Sequence, residues 1–363
     1  MLVTLTWKVV VLLGIRGGEK MKALVKTSKA PGLELMDVDI PEIGANDVLV
    51  KVKATSICGS DIHIFKSSPG YMRSVTIPII IGHETCGEVV EVGTCVTSLE
   101  KGDLVSPEPL IFCGECYYCK MGAAHHCQNR EILGVSINGT FAEYARMPAA
   151  GCWKHPKNIS VDLGAIYEPL GVAVHGVLAD EVNGKSVAVF GCGPLGLFAI
   201  GAARVFGATR VFALEVASKR IAMARQLFPD VTVINPREQD AIKTIMEATD
   251  GLGVDVSIEI SGSAEALRQA FKVLKHEGRV SLVGVPSGPI ELDTHPDIIR
   301  KEARVLGVLG HVIWKTLWQV RTLLDTGKFD PLPVITHRFP MAEFQKAFEL
   351  ATSGEAGKIM LYP

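Results

Sequence analysis

The sequence has almost no net charge and lacks a long apolar run. Lysine and arginine number 37 against 39 aspartate and glutamate residues, so the formal net charge is −2 at pH 7. A balance this close to neutral gives no general attraction to nucleic acid or to anionic membranes. Internal repeats, low-complexity tracts and long runs of one charge are also absent. We therefore expect a small-molecule ligand, with neither a nucleic-acid nor a membrane partner.

The first twenty residues also lack the features of a membrane anchor or export signal. Their apolar stretch, Val9 to Ile15, is shorter than the roughly 20 residues that span a bilayer. A secretory signal places positive charge first, then an apolar run and a small-residue cleavage site, whereas here Lys8 interrupts the apolar residues of the first twenty, and Arg16 and Lys20 follow them. We expect a cytoplasmic protein and interpret residues 1–20 as an N-terminal extension, because MKALVKT from Met21 begins a typical first strand.

The hydrophobic pattern changes its period once along the chain. Up to about Glu168, short strands such as DVLVKVKATSIC and GEVVEVG are broken by Gly, Pro and Asp, which predicts a β-rich lobe. After Gly184, strands and helices alternate, which predicts a parallel, doubly wound sheet. We expect an α/β protein whose first domain combines residues 21–170 and 311–363, and whose second covers residues 171–310.

Four cysteines lie close together in the run CGECYYCKMGAAHHC. The spacing of Cys113, Cys116, Cys119 and Cys127 lets four thiolates converge on one tetrahedral ion. Zinc binds sulfur at about 2.3 Å, and a site closed by four cysteines has no open position for chemistry. A disulfide cluster is typical of small secreted domains, whereas this chain of 363 residues is 48% hydrophobic and can bury its own core. The run therefore predicts a structural zinc site in a reducing compartment.

A glycine-rich motif, GCGPLG, follows the apolar strand SVAVF and precedes a predicted helix. Gly191 would make the turn, Gly193 would let the backbone approach a pyrophosphate, and Gly196 would allow close packing of helix on strand. Pro194 and Leu195 begin the helix, whose N-terminus favours negative charge. In this context the motif predicts a dinucleotide cofactor.

Glu215 ends the next predicted strand, about 20 residues after the loop. An acidic residue there can accept hydrogen bonds from the adenosine ribose and repel a 2′-phosphate, which favours NAD over NADP. The alternative is that Glu215 caps the following helix. Arg220 could stack on the adenine, remain solvated or accommodate a 2′-phosphate, and this last role keeps NADP open.

Two further segments carry possible metal ligands. Cys58 opens CGSDIH, and His83 and Glu84 lie in GHETCGEVVEVG. A cysteine at a strand end is often buried and inert, and His83 beside Gly82 could be a turn residue. Together the three side chains are nevertheless ligand types suited to an open, catalytic zinc site.

From Met21 to Pro363 the chain resembles the zinc-containing medium-chain dehydrogenase/reductase family. The matching motifs are CGSDIH, GHETCGEVVEVG, the four-cysteine run, EPLGVAVH and VFGCGPLG, in the family order. The resemblance implies a GroES-like catalytic domain, a Rossmann coenzyme domain, two zinc ions per chain, NAD as coenzyme and a homotetramer. It places Cys58, His83 and Glu84 on the catalytic zinc, with Glu168 of EPLG binding it directly or through water.

The resemblance also implies a proton relay after Cys58. Ser60 and His63 occupy positions that, in the family, carry the alcohol proton to solvent through the nicotinamide ribose. An imidazole with a pKa near 6.5 suits that task. The alternatives are a surface imidazole for His63 and a turn residue for Ser60. Asp61 is interpreted as a structural hydrogen-bond acceptor.

The substrate motifs are divided between two branches of the family. TSICGSDIHIF and DPLPVITHRFPMAEFQKAFEL resemble L-threonine 3-dehydrogenases. Leu110, however, stands where those enzymes carry a histidine, and Val172 replaces an asparagine of theirs. SPEPL and EPLGVAVH are closer to sorbitol, butanediol and other polyol dehydrogenases.

We therefore predict oxidation of a polyol, vicinal diol or sugar-derived secondary alcohol, with L-threonine as the alternative. A sensor that only binds NAD(H), or a zinc-free reductase of the same fold, would be expected to have lost a ligand or a relay residue. The sequence retains them all.

Overall fold

The computed structural model describes residues 18–363, which divide into two compact units. The first unit comprises the chain up to Glu168, together with His337–Ser353 and Lys358–Pro363. The second comprises Pro169–Thr336 and Gly354–Gly357. Most of the predicted N-terminal extension, residues 1–17, lies outside the described residues.

The first unit is rich in short strands, as its sequence pattern predicts. Its helices are α1 (Gly59–Phe65), α2 (Pro69–Met72), α3 (Tyr117–Lys120), α4 (Val161–Ala165) and α11 (Phe344–Ser353), numbered along the whole chain. Its strands are β1 (Lys20–Lys26), β2 (Glu34–Asp39), β3 (Asp47–Ser56), β4 (Ile79–Ile80), β5 (Glu84–Val92), β6 (Leu104–Pro107), β7 (Leu110–Ile111), β8 (Glu131–Ile132), β9 (Tyr144–Pro148), β10 (Cys152–Lys154), most of β17 (Ile335–Pro340), and β18 (Lys358–Tyr362).

The largest sheet of the first unit has the order β10-β6-β5-β3-β18-β17, with β9 also paired to β3. Val48, Val50 and Val52 alternate along β3 and belong to one apolar cluster, because every second side chain of a strand points to the same face of the sheet. Antiparallel pairing sets Ser56 opposite Glu84, and Met360 of β18 also opposite Ser56. The end of β3, the start of β5 and the late strand β18 are therefore neighbours, and this arrangement positions the candidate metal ligands.

The second unit is built around a parallel sheet of six strands, in the order β13-β12-β11-β14-β15-β16. Its strands are β11 (Ser186–Phe190), β12 (Arg210–Leu214), β13 (Thr232–Ile234), β14 (Val254–Glu259), β15 (Leu274–Leu282) and β16 (Arg304–Gly307). Its helices are most of α5 (Tyr167–Val177), α6 (Pro194–Val205), α7 (Ser218–Leu227), α8 (Ala241–Ala248), α9 (Ala264–Lys272) and α10 (Lys315–Asp325).

The strand order of this sheet reverses at β11. Strand β12 lies on one side of it and β14 on the other, so the carboxyl end of β11 opens at the switch point where doubly wound sheets bind nucleotides. Phe190 and Phe212 belong to the apolar core of the unit. The predicted α/β class, with a β-rich unit and a doubly wound unit, is confirmed.

One segment is grouped differently from the sequence-based assignment. Residues 311–336 were assigned to the first domain, whereas the structure groups them with the second unit. Leu317 of α10 is buried and packs against Gly171, and the Phe329 ring lies where a side chain on Gly201 would project. These contacts tie the segment to helices α5 and α6 of the second unit. In residues 18–363, no helix is both long and apolar enough to cross a membrane.

Candidate zinc and coenzyme sites

The four-cysteine loop brings its four sulfurs together within one short stretch of chain. All four Sγ atoms lie within 4.8 Å of one another. The Sγ atoms of Cys116 and Cys119 are 3.5 Å apart, as are those of Cys113 and Cys127. Tetrahedral zinc with Zn–S bonds of 2.3 Å requires sulfurs separated by about 3.8 Å, whereas a disulfide requires about 2.0 Å. The four thiols are free, and their spacing fits zinc.

The pKa values of these thiols are also consistent with a bound cation. Hydrogen bonds from the backbone N–H groups of Cys119 and Gln128 lower the pKa of Cys116 to about 6. Desolvation and the neighbouring Cys116 sulfur raise the pKa of Cys119 to about 12. One sulfur therefore ionises readily and makes its neighbour harder to ionise. A bound zinc ion would favour the thiolate form of all four sulfurs.

A second cluster is assembled from separate elements of the first unit. Cys58 follows β3 as the N-cap residue of α1, and its backbone N–H donates to Asp61 Oδ2 at 2.9 Å. His83 directly precedes β5. The pairing of β3 with β5 therefore brings two segments together although 24 residues separate Cys58 from His83.

His83 faces a buried carboxylate. Its Nδ1 lies 3.8 Å from Asp61 Oδ1, and its Nε2 lies 3.5 Å from Ser60 Oγ. Within the described chain, neither His83 Nδ1 nor Asp61 Oδ1 has a hydrogen-bond partner. Burial alone would lower the pKa of His83, but the charges of Asp61, Cys58 and Glu168 raise it well above its usual range. Asp61 thus faces Nδ1 and leaves Nε2 for a cation, as in carboxylate–histidine–metal sites.

Glu84 is held by a residue from a distant part of the sequence. Its Oε1 accepts a hydrogen bond from Lys358 Nζ at 2.6 Å, and Oε2 accepts one from the Ser56 hydroxyl. Lys358 Nζ also donates to the Ile57 carbonyl oxygen at 3.0 Å. Burial would lower the pKa of Lys358, but Glu84, Cys58 and Glu168 raise it. This lysine therefore clamps the two ligand segments together.

These contacts bear on the ligand set suggested by the resemblance. The charges of Cys58 and Glu168 both raise the pKa of His83 and the pKa of Lys358. Glu168 therefore belongs to the same group of interacting charges as Cys58 and His83. Both oxygens of Glu84 are already engaged, so its role as a direct zinc ligand stays a prediction. Over residues 18–363, the four cysteines are the one group of potential ligand atoms gathered within 4.8 Å.

Sequence reasoning missed Lys358 altogether. The signal was a charged residue opening the apolar strand KIMLY, which is buried along most of its length. A lysine there has to find a buried anion. Glu84 is that anion.

Leu110, which the sequence singled out for specificity, opens β7 beside the cysteine loop. It is half-buried, pairs with Ile132 of β8, and its backbone N–H donates to the carboxylate of buried Glu108 at 3.0 Å. Its backbone is thus fixed while its side chain remains partly accessible.

The glycine loop of the second unit has the geometry that its motif predicts. Gly191 has φ of +109°, which favours glycine, and a Cβ on Gly196 would lie 1.9 Å from the Gly191 carbonyl oxygen. Gly193 is the N-cap of α6 with Pro194 at the next position, and a Cβ there would find its nearest neighbour, Arg220 Nη1, at 3.6 Å. The fold requires Gly191 and Gly196. At Gly193 a Cβ would make only an ordinary van der Waals contact.

Glu215 connects this loop to the next helix. Its carboxylate accepts hydrogen bonds from the N–H groups of Cys192 at 2.9 Å, Val216 at 2.7 Å and Ala217 at 3.0 Å. Arg220 Nη1 lies 4.0 Å from Glu215 Oε2. The carboxylate therefore braces the loop and the entry to α7, and its action on a ribose stays a prediction.

Known proteins match both units. Residues 44–157 match the alcohol dehydrogenase GroES-like domain, and residues 194–324 match the zinc-binding dehydrogenase domain. The L-threonine 3-dehydrogenase of Pyrococcus abyssi is 45% identical over 94% of this chain and 98% of its own length. That of Thermococcus kodakarensis is 43% identical over 95% and 99%.

Solved structures agree with the sequence relatives on the fold. The 2R,3R-butanediol dehydrogenase of Bacillus subtilis has a TM-score of 0.85 at 30% identity, covering 94% of this chain and 99% of its own. The galactitol-1-phosphate dehydrogenase of Escherichia coli has a TM-score of 0.86 at 28% identity, covering 94% and 100%.

Proposed function

The chain belongs to the zinc-containing medium-chain dehydrogenase/reductase family, and we propose that it transfers a hydride between NAD and the secondary alcohol of a neutral polyol or vicinal diol. The observation that carries the proposal is the cluster of Cys58, His83 and Glu168, in which the Asp61 carboxylate faces one nitrogen of the imidazole. Thiolate, imidazole and carboxylate are the donor types of a zinc site that keeps an open position.

The residues of this cluster would have different roles in the reaction. Bound zinc would supply Lewis acidity that lowers the pKa of an alcohol, and NAD would accept the hydride. Cys58, His83 and Glu168 would hold the metal, and Asp61, whose Oδ1 lies 3.8 Å from His83 Nδ1, would orient the ring. Lys358 fixes the spacing of the ligand segments through Glu84 and the Ile57 carbonyl.

Ser60 and His63 would remove the alcohol proton. Ser60 Oγ is 3.5 Å from His83 Nε2, which puts the hydroxyl beside the proposed metal ligand. Partial burial and the nearby Lys66 charge lower the pKa of His63, so its imidazole is neutral at pH 7 and able to accept a proton. The exposed position of this ring suits the solvent end of a relay.

The coenzyme would bind at the glycine loop of the second unit. Related structures contain either coenzyme: an Escherichia coli dehydrogenase was solved with NADH, and a Sinorhizobium meliloti one with NADP. The preference proposed for this chain therefore depends on Glu215, whose buried carboxylate beside the loop would repel a 2′-phosphate. By resemblance we also infer a homotetramer, which a mass measurement in solution would test.

The choice of substrate depends on Leu110. A leucine gives an amino acid no hydrogen bond for its ammonium or carboxylate group, whereas it tolerates the carbon chain of a neutral diol. An unpaired polar group in a dry site costs about 1–3 kcal/mol, enough to change preference ten- to hundredfold. L-Threonine is the second candidate, because relatives up to 45% identical over nearly their full length carry that name.

One set of rates separates these candidates. Initial rates of NADH formation would be measured with 2,3-butanediol, sorbitol, xylitol, myo-inositol and L-threonine under identical conditions, and again with NADP in place of NAD. We expect the highest kcat/KM with a neutral polyol or diol and NAD. A higher kcat/KM for L-threonine than for every polyol would establish the second candidate, and equal use of NADP would overturn the role given to Glu215.

A further inference from the structure

His63 lies between its own helix and the short segment that follows. Its imidazole stacks on the ring of Tyr71 from α2, with ring centroids 4.4 Å apart and planes inclined by 6°. Face-to-face contact this close fixes the plane of the imidazole while leaving its edge open. Burial and the charge of Cys58 raise the pKa of Tyr71.

The second contact of His63 is with Ser68. His63 Nδ1 and Ser68 Oγ are 3.2 Å apart, and the Ser68 backbone N–H donates to the His63 carbonyl oxygen at 2.9 Å. Ser68 is the N-cap residue of α2, yet its hydroxyl makes no capping hydrogen bond. A serine at this position usually accepts from the first backbone N–H groups of its helix. Here the hydroxyl bonds to the imidazole instead.

The turn that presents Ser68 is itself anchored. Ser67 has φ of +56°, an uncommon conformation for a residue other than glycine. Its hydroxyl accepts a hydrogen bond from the buried Lys26 at 2.8 Å, and the same ammonium group donates to the carbonyls of Ala30 and Gly32. Strand β1 thereby holds the turn in place, so Ser68 meets His63 in a fixed geometry.

We propose that Ser68 and Tyr71 are positioning residues that hold the His63 imidazole in one plane and one tautomer for proton transfer. This proposal rests on the relay in the proposed function. In the neutral ring, Nδ1–H donates to Ser68 Oγ, so the lone pair of Nε2 accepts the proton released by the alcohol. The resulting imidazolium then gives one proton to water and returns to the same tautomer.

The test uses the zinc-loaded, full-length enzyme with NAD and its best alcohol. Ser68→Ala and Tyr71→Leu should each lower kcat about tenfold, the loss expected when one hydrogen bond or ring contact no longer orients the acceptor. KM for the alcohol and the dissociation constant for NADH should remain within about twofold, because neither residue holds ligand. Ser68→Thr and Tyr71→Phe, which keep the hydroxyl and the ring, should recover most of kcat.

Two controls make the outcome decisive. Ser74→Ala changes an exposed serine of the same segment and should leave kcat unaltered. His63→Ala should be slow, and imidazole added to the buffer should restore part of its rate. Melting temperature and zinc content, measured for every variant, identify any that fails to fold, and the two conservative variants remain informative in that case.

The outcomes separate the two proposals. If His63→Ala is as fast as the unmodified enzyme, the relay itself is wrong. If His63→Ala is slow but Ser68→Ala and Tyr71→Leu behave like Ser74→Ala, the relay stands and the positioning role is overturned. A rise in KM without a fall in kcat would also overturn it, because it would make these residues part of the substrate pocket.

Discussion

The two cysteine-containing clusters of the first unit are built in opposite ways. The four-cysteine loop takes every ligand from one stretch of chain, and its sulfurs already lie within 4.8 Å of one another. The Cys58 cluster takes its residues from three separate places: Cys58 follows β3, His83 precedes β5, and Glu168 lies at the start of α5. Lys358 of β18 adds a hydrogen bond to Glu84. A site that only stabilises a lobe can be local and closed. A site that must admit substrate is assembled by the surrounding fold, which leaves a coordination position open.

The sharpest test of this contrast is Cys58→Ser. It should lower kcat by about a thousandfold or more, because Lewis acidity provides several kcal/mol of transition-state stabilisation. NADH binding should persist, since the glycine loop belongs to the other unit. Steady-state kinetics and NADH fluorescence titration measure the two quantities. Near-normal turnover would remove Cys58 from the catalytic zinc.

Cys116→Ser tests the other cluster. The closed site should lose its zinc, and the melting temperature should fall on the order of 10 °C, as expected when a structural metal is removed. Elemental analysis should find two zinc ions in the unmodified protein and one in this variant.

Brief chelation of the unmodified protein should abolish activity before it alters circular dichroism, because the open site exchanges its ligands more readily. Fully active protein containing a single zinc ion would contradict the contrast.

Gly193→Ala shows whether activity can be lost while both metal clusters remain intact. The added methyl group has room in the fold, with its nearest neighbour at 3.6 Å, but it would crowd a bound pyrophosphate. We expect KM for NAD to rise about tenfold with little change in melting temperature or zinc content. Gly196→Ala is the matched control: its Cβ would meet a backbone oxygen at 1.9 Å, so it should lose stability as well. Unchanged NAD kinetics in Gly193→Ala would contradict the site.

A change of substrate preference alone is expected at Leu110, beside the closed cluster. Leu110→His should raise kcat/KM for L-threonine relative to neutral alcohols by about tenfold, because one polar contact is restored. Paired rates with L-threonine and the best polyol measure this ratio. A lower melting temperature with no change in the ratio would mean that Leu110 only packs beneath the loop.

The sequence predicted best what is local. The glycine loop and the cysteine run each hold their key residues within a short stretch, so spacing alone indicates their geometry. Ligand chemistry and the resemblance to a known family suggest that Cys58 and His83 belong together, but spacing does not, because the register of β3 on β5 is what brings them close. Lys358 lies 301 positions from Ile57, and no spacing rule links them. The apolar pattern of α10 shows that the helix is buried but not which unit it packs against, so the pattern alone cannot place residues 311–336.

The contact between Lys358 and Glu84 has a consequence for how the protein is made. The two residues are 274 positions apart, and the whole second unit is encoded between them. During synthesis, the ribosome therefore completes the parallel sheet while the first unit still lacks the lysine that neutralises its buried glutamate. The nascent first unit carries an uncompensated charge until β18 emerges. We expect pulse-labelled chains released before Lys358 to be protease-sensitive in this unit, while the coenzyme unit already resists digestion.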